Sequence, residues 1–471
     1  MQADSRKIIS ENIVADRSKL KIICVFLHRI YFGRIPYERQ YRGKKRKAMN
    51  ITELQQSYAS HPNVEGVCRL LKDNSVRHLY CGGLYASAAS LFSSVLVQRA
   101  TCPLVFILGD MEEAGYFYHD LTQILGTEQV LFFPSSFRRA IKYGQKDAAN
   151  EILRTEVLSR LQKGEEGLCV VTYPDALAEK VVSRKELGDN TLKLHAGERV
   201  DMNFVTDVLR SYGFEYVDYV YEPGQYAVRG SIIDVFSFSS EYPFRIDFFG
   251  DEVESVRTFE VETQLSKEKK ESIVIVPDLS HSLEKKGSGG MVSFLDFLPS
   301  DSLLAMRDFL WLRERIQTVH DESLTPQAIA ARESEENGAI TLEGKLIDGG
   351  EFTLRALDFR RMEFGNKPTG TPDATVSFHT TVQPIFHKNF DMVAESFREY
   401  LSRHYTIYIC SDSLKQTDRI RAIFEDRGDN ISFTAVERTL HEGFADDTLR
   451  IYVFTDHQLF DRFHKLSLIH I

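Results

Sequence analysis

Ser75-Val76-Arg77-His78-Leu79-Tyr80-Cys81-Gly82-Gly83-Leu84-Tyr85-Ala86-Ser87-Ala88-Ala89-Ser90 passes from a short apolar strand through a glycine pair into the start of a helix. Strand, glycine-rich turn and helix in that order open a nucleotide-binding α/β fold, with the turn where the phosphate loop would lie. Further short apolar runs follow at Leu104 to Leu108, Val130 to Phe133 and Leu168 to Thr172, with helical stretches between them. Such alternation predicts a parallel sheet covered on its faces. The clearest helix, Asp147 to Gln162, spaces Ile152, Leu153, Val157, Leu158 and Leu161 on one side and stops before Gly164.

A working phosphate loop reads G-x-x-x-x-G-K-[ST], because backbone amides cradle the phosphates, the lysine pairs with them and the hydroxyl holds Mg²⁺. Gly82, Gly83 and Ser87 are present, but the second glycine and the lysine are absent. The loop is therefore read as degenerate, and nucleotide hydrolysis is not expected of this chain. No H-E-x-x-H and no G-x-S-x-G occurs, and Asp251-Glu252 falls in a polar turn. Asp456-His457, at the end of an apolar strand, reads as a helix cap or surface contact rather than a catalytic pair. No catalytic residue is assigned.

The six cysteines are scattered without a C-x-x-C pair or histidines at ligand spacing, so neither a zinc site nor a disulfide scaffold is expected. That usage fits a reducing cytoplasm. No stretch approaches the roughly 20 apolar residues of a bilayer span, so no membrane partner is expected. The net charge of -10 is uneven: residues 1 to 48 hold 13 Lys/Arg against 4 Asp/Glu, leaving -19 for the remainder. An acidic body argues against direct sequence-independent DNA binding, which needs clustered Lys/Arg. Residues 1–48 are read as a non-native or disordered basic extension, with Met49 the natural start. Leu466 to Ile471, Leu-Ser-Leu-Ile-His-Ile, matches the translation of a sequencing adapter, so the protein is expected to continue beyond Lys465.

At 471 residues the chain is long enough for two to four domains. The first α/β domain is placed at 49–190. The composition then changes: a helix at Met202 to Tyr212 precedes strand-like segments Tyr216 to Tyr221, Tyr226 to Phe236, Phe244 to Phe249, Val253 to Phe259 and Ile273 to Val276. This is an inserted α+β domain, 191–277. Beyond the Gly/Ser-rich loop Gly287 to Gly290, helices at Ser302 to Ile316 and Thr341 to Leu357 and a linker at Gly365 to Thr381 form the return segment, 278–376. A small α/β domain, 377–465, closes the series, with strands Thr406 to Ser411 and Arg450 to Thr455 around a helix from Leu414 to Asp426.

In Phe244-Arg245-Ile246-Asp247-Phe248-Phe249 a period of two puts Phe244, Ile246 and Phe248 on a core face and Arg245, Asp247 and Phe249 on the other. A cation beside an aromatic ring is the make-up of an interface centre. An equally open reading packs Phe249 under a loop and pairs Arg245 with Asp247. Upstream, Pro223-Gly224 marks a turn before a strand carrying Arg229 beside Gly230, where a bulge would turn that arginine outward.

Tyr221-Glu222-Pro223-Gly224-Gln225-Tyr226-Ala227-Val228-Arg229-Gly230, continued by Ile232 to Phe236 and Pro243 to Ser255, resembles the signature shared by UvrB and the transcription-repair coupling factors. Phe133 to Ser136 with Tyr143 to Asp147, Thr172 to Leu177 and Thr455 to Phe460 resemble the coupling factors in particular, over 49–465. The resemblance implies a UvrB-like, degenerate nucleotide-binding domain whose insert binds UvrA, with Arg229, Arg245 and Phe249 mapping onto the family's contact positions. It implies a partner-recruiting half with no cofactor of its own. ATP and Mg²⁺ would belong to motor domains downstream of this chain, as would the contacts to RNA polymerase and DNA. A segment thought to mask the UvrA site would also lie downstream, so this chain is expected to bind UvrA without autoinhibition. The alternative is a UvrB-type ATP- and DNA-dependent repair enzyme domain.

Overall fold

The computed structural model describes residues 48–136, 148–278, 290–323 and 344–462. The basic extension up to 47, the motif at 143–147, residues 287–289 of the Gly/Ser-rich loop, residues 341–343 of the expected second return helix and the closing 466–471 lie outside the described residues.

Seven parallel strands form the main sheet, in the order Ala374–Ser377, His78–Gly82, Arg360–Gly365, Leu303–Met306, Leu104–Ile107, Cys169–Thr172, Val130–Phe133. All four residues of Leu104–Ile107, Val130–Phe133 and Cys169–Thr172 are buried, as expected of strands covered on both faces. Two strands from beyond the insert, Leu303–Met306 and Arg360–Gly365, lie between His78–Gly82 and Leu104–Ile107. The sheet thus cannot close until the chain has passed through the insert and returned.

Three readings are corrected here. The helix expected over Ser302 to Ile316 is a central strand, Leu303–Met306, followed by the helix Phe309–Ser323. Leu, Ala and Met favour helices in isolation, but a slot between two parallel strands overrides that preference. Of the second return helix only Gly349–Ala356 is helical among the described residues, started by the Asp348 side chain accepting from the Glu351 amide. The expected linker contains the edge strand Ala374–Ser377, held by parallel pairing to Leu79 through Gly82.

The insert is an antiparallel sheet ordered Ser266–Lys270, Glu252–Phe259, Phe244–Phe249, Ile232–Val235, Gln225–Arg229, with the two-residue strand Glu215–Tyr216 joining its edge in parallel. Its core, including Val205, Leu209, Tyr226, Ile233, Val235, Phe244, Ile246, Phe248, Val253 and Val256, is drawn entirely from its own residues. The segment read as one strand from Tyr226 to Phe236 is a hairpin, with Arg229 opposite Ile232 across Gly230-Ser231. A second hairpin sets Phe249 opposite Glu252 across Gly250-Asp251. Gly230 and Gly250 each have φ +62°, the value a two-residue turn needs at its first position.

The small domain has the strand order Met49–Asn50, Thr434–Glu437, Thr406–Ser411, Ile451–Thr455, Phe444–Asp446, Thr380–Val382. Its first strand comes from the opposite end of the described chain, Met49 pairing with Val436. Asn50 then caps the helix Ile51–Ala59 through a reciprocal box with Glu53. Cys410, Val436, Leu440, Phe444, Ile451 and Val453 pack into the same cluster as the main sheet, so one apolar core runs through the joint.

Candidate protein-interaction site

Ile233 and Val235 point into the insert's core, which sends Asp234 to the opposite face, directly across from Arg245 and Ala227. Arg229 is the diagonal neighbour on the next strand, within reach of a long side chain. Both arginines converge on Asp234. Arg245 donates through Nε at 2.7 Å and Nη2 at 2.8 Å, and Arg229 donates through Nη2. The carboxylate is 1 % exposed. Its hydrogen bonds raise the Arg245 pKa against the opposing effect of burial.

Aromatic rings complete each cradle. The Arg245 guanidinium lies 4.5 Å from the Phe259 ring centre and donates from Nη1 to the Gln264 carbonyl at 3.1 Å. That of Arg229 lies 5.0 Å from the ring of Tyr219. Behind them Val220, Ala227, Phe236 and Phe259 form a small apolar cluster. Two guanidiniums on one carboxylate leave a surplus positive charge. Beside it Tyr219 is 52 % exposed and Leu265, next to Gln264, is 68 % exposed, and Phe249 at the hairpin tip is 79 % exposed.

Of the three residues singled out from sequence, the structure joins Arg229 and Arg245 through one carboxylate and sets Phe249 at a hairpin tip on their face. The pairing of Arg245 with Asp247 is not found: Asp247 accepts from Arg257 at 3.1 Å. Nor does Phe249 pack beneath a loop. Sequence reasoning missed Asp234, Tyr219 and Leu265. The Gly230-Ser231 hairpin sets Asp234 opposite Ala227 and diagonal to Arg229, while the separate pairing of Ile232–Val235 with Phe244–Phe249 sets it opposite Arg245.

At the glycine-rich turn four amides are already engaged. The Tyr85 N–H donates to Thr380 Oγ1 at 2.9 Å, that of Ser87 to the Glu442 carbonyl at 3.4 Å, and those of Ala88 and Ala89 to Tyr85 and Ala86. Gly83 has φ +76°, and a Cβ there would stand 2.1 Å from the Phe378 carbonyl oxygen. The Ser87 and Ser90 hydroxyls donate to Asp120 Oδ2 at 2.6 and 2.9 Å, and Asp120 Oδ1 accepts the His441 amide at 2.7 Å. The adjoining cavity, about 340 Å³, is lined by Asp110, Glu112, Glu113, Asp120 and Glu442 with Arg307 as its cation. Among the described residues no cluster of three or more His, Cys, Asp or Glu is arranged to hold a metal ion, and no helix is long and apolar enough to cross a membrane.

His441 and His457 belong to this joint. The His441 ring stacks on Tyr116 at 3.5 Å, and His457 Nε2 donates to the His441 carbonyl at 2.7 Å. His457 is buried, so the pair Asp456-His457 is not a surface contact. Burial lowers the His441 pKa from 6.5 to about 4 and lowers that of His457 too. A depressed folded pKa means that unfolded histidine takes up a proton which folded histidine refuses. Stability from these groups is complete above about pH 7 and declines as the pH falls from 6.5 towards 4. The thermal midpoint should drop between pH 7.5 and 5, and less steeply for His441→Gln; identical slopes for both proteins would refute the assignment.

A family model described as "UvrB interaction domain" matches residues 192–281, the span of the insert. The transcription-repair-coupling factor of Bacillus subtilis (strain 168) is 21% identical over 456 residues, covering 80% of this chain and 38% of that protein. That of Escherichia coli (strain K12) is 29% identical over 198 residues, 42% of this chain and 17% of the relative. That of Haemophilus influenzae is 29% identical over 212 residues, 45% and 18%. The chain therefore spans less than two fifths of the length of these relatives. The matched insert and a similarity extending over four fifths of the chain make the protein similar to the N-terminal part of the transcription-repair-coupling factors.

Proposed function

We propose that this chain recruits UvrA to stalled transcription complexes for nucleotide excision repair, through the Arg229, Arg245 and Phe249 face of its insert. The observation that carries the reading is the coincidence of the matched interaction-domain model with an exposed aromatic beside a surplus guanidinium charge. Such a face fits a protein partner. DNA is a poor fit for the insert, since residues 192–278 hold 9 Lys/Arg against 17 Asp/Glu. Contacts to RNA polymerase and DNA, and ATP- and Mg²⁺-dependent work on DNA, we assign to the parts of the family that this chain does not span.

We also infer that the chain is not itself a nucleotide hydrolase. A triphosphate at the glycine-rich turn would meet the Asp120 carboxylate and amides already in use, so the reading as an autonomous UvrB-type enzyme finds no support there. Calorimetric titration of the whole chain with UvrA and, separately, with ATP-Mg²⁺ tests both points. Micromolar or tighter binding of UvrA and no heat from ATP are expected. No binding of UvrA would overturn the assignment, and saturable heat from ATP would restore the enzyme reading.

A further inference from the structure

Asp234 has no role in the backbone of the insert. Among the described residues its carboxylate caps no helix, closes no turn and accepts only from the two guanidiniums. A carboxylate 1 % exposed is costly to bury unless it is paired and hydrogen-bonded. Here the pairing fixes two long side chains that the exposed face of a sheet would otherwise leave free. Arg245 is locked on three sides, by Asp234, the Phe259 ring and the Gln264 carbonyl. Arg229 is held between Asp234 and Tyr219, yet its side chain keeps 36 % of its surface open to solvent.

We propose that Asp234 is the positioning residue of this face, setting Arg229 and Arg245 in the orientation that the partner reads before the partner arrives. The inference rests on the face being the UvrA contact. Side chains ordered in advance lose less freedom on association, and removing that order should weaken binding by on the order of tenfold. A fork of two N–H groups on one carboxylate is a geometry that lysine cannot reproduce, so charge alone does not suffice.

The test is a double-mutant cycle on the whole chain, read by titration with UvrA. Asp234→Asn should lose on the order of tenfold in affinity in the otherwise unaltered chain, but less than about twofold when Arg229 and Arg245 are both alanine. Loss of the same size in both backgrounds would show Asp234 acting on the fold at large, and would overturn the inference. Arg245→Lys keeps the charge and leaves Asp234 in place, so it carries the test if Asp234→Asn does not fold; unchanged affinity would count against the proposal. Binding that resists both substitutions overturns this inference and leaves the proposed function standing, whereas absence of binding by the unaltered chain brings down both.

Discussion

Asp120→Ala is expected to lower the unfolding free energy by about 3–5 kcal/mol, because a buried acceptor of three hydrogen bonds disappears and its donors stay buried. Two of those donors, Ser87 and Ser90, sit on the helix after the glycine-rich turn. The third is the His441 amide of the small domain. The substitution should therefore also loosen the joint, so that the small domain melts before the main sheet. Asp110→Ala provides the contrast: Asp110 caps a helix near the same cavity, where the loss is about 1 kcal/mol. Urea unfolding read by fluorescence and circular dichroism would measure both. Equal effects of the two substitutions would contradict the role given to Asp120.

The second large effect concerns binding. Phe249→Ala should weaken UvrA by about 2 kcal/mol, roughly thirtyfold, as truncation of an interface aromatic does. The thermal midpoint should hardly move, since the ring is 79 % exposed and lies outside the insert's core. Phe249 is a better probe than Arg245 for this reason. Arg245→Glu would set a second carboxylate against buried Asp234, so lost binding and a disturbed insert could not be told apart. Unchanged affinity of Phe249→Ala would remove the hairpin tip from the contact surface.

What the sequence disclosed follows the physics of each element. Leu104–Ile107, Val130–Phe133 and Cys169–Thr172 were legible because fully buried strands are continuous apolar runs. The alternation in Phe244–Phe249 was equally clear, since one face is fully buried and the other is only partly covered. Leu303–Met306 was misread because its residues continue into an apolar helix, and nothing local marks the change of period. Ala374–Ser377 is a partly exposed edge strand whose partner lies almost 300 residues earlier, so it leaves almost no local signal. The two arginines were legible as cations on the strand face opposite the core. Their meeting at Asp234 was not, because it depends on two registers, that of the unrecognised hairpin for Arg229 and that of the following strand pair for Arg245.

Tyr58 donates to Asp446 Oδ2 at 3.0 Å across 388 residues of sequence, beside the pairing of Met49 with Val436. During synthesis at 5–20 residues per second, the helix that bears Tyr58 leaves the ribosome roughly 20–80 s before its acceptor is made. The small domain's outermost strand is the first described segment to emerge and among the last to find its place. Over that interval the apolar side chains of the helix that follows it, Ile51, Leu54 and Tyr58, need shelter from a neighbour or a chaperone. Slowing translation should therefore raise the yield of soluble chain less than supplying a holdase does.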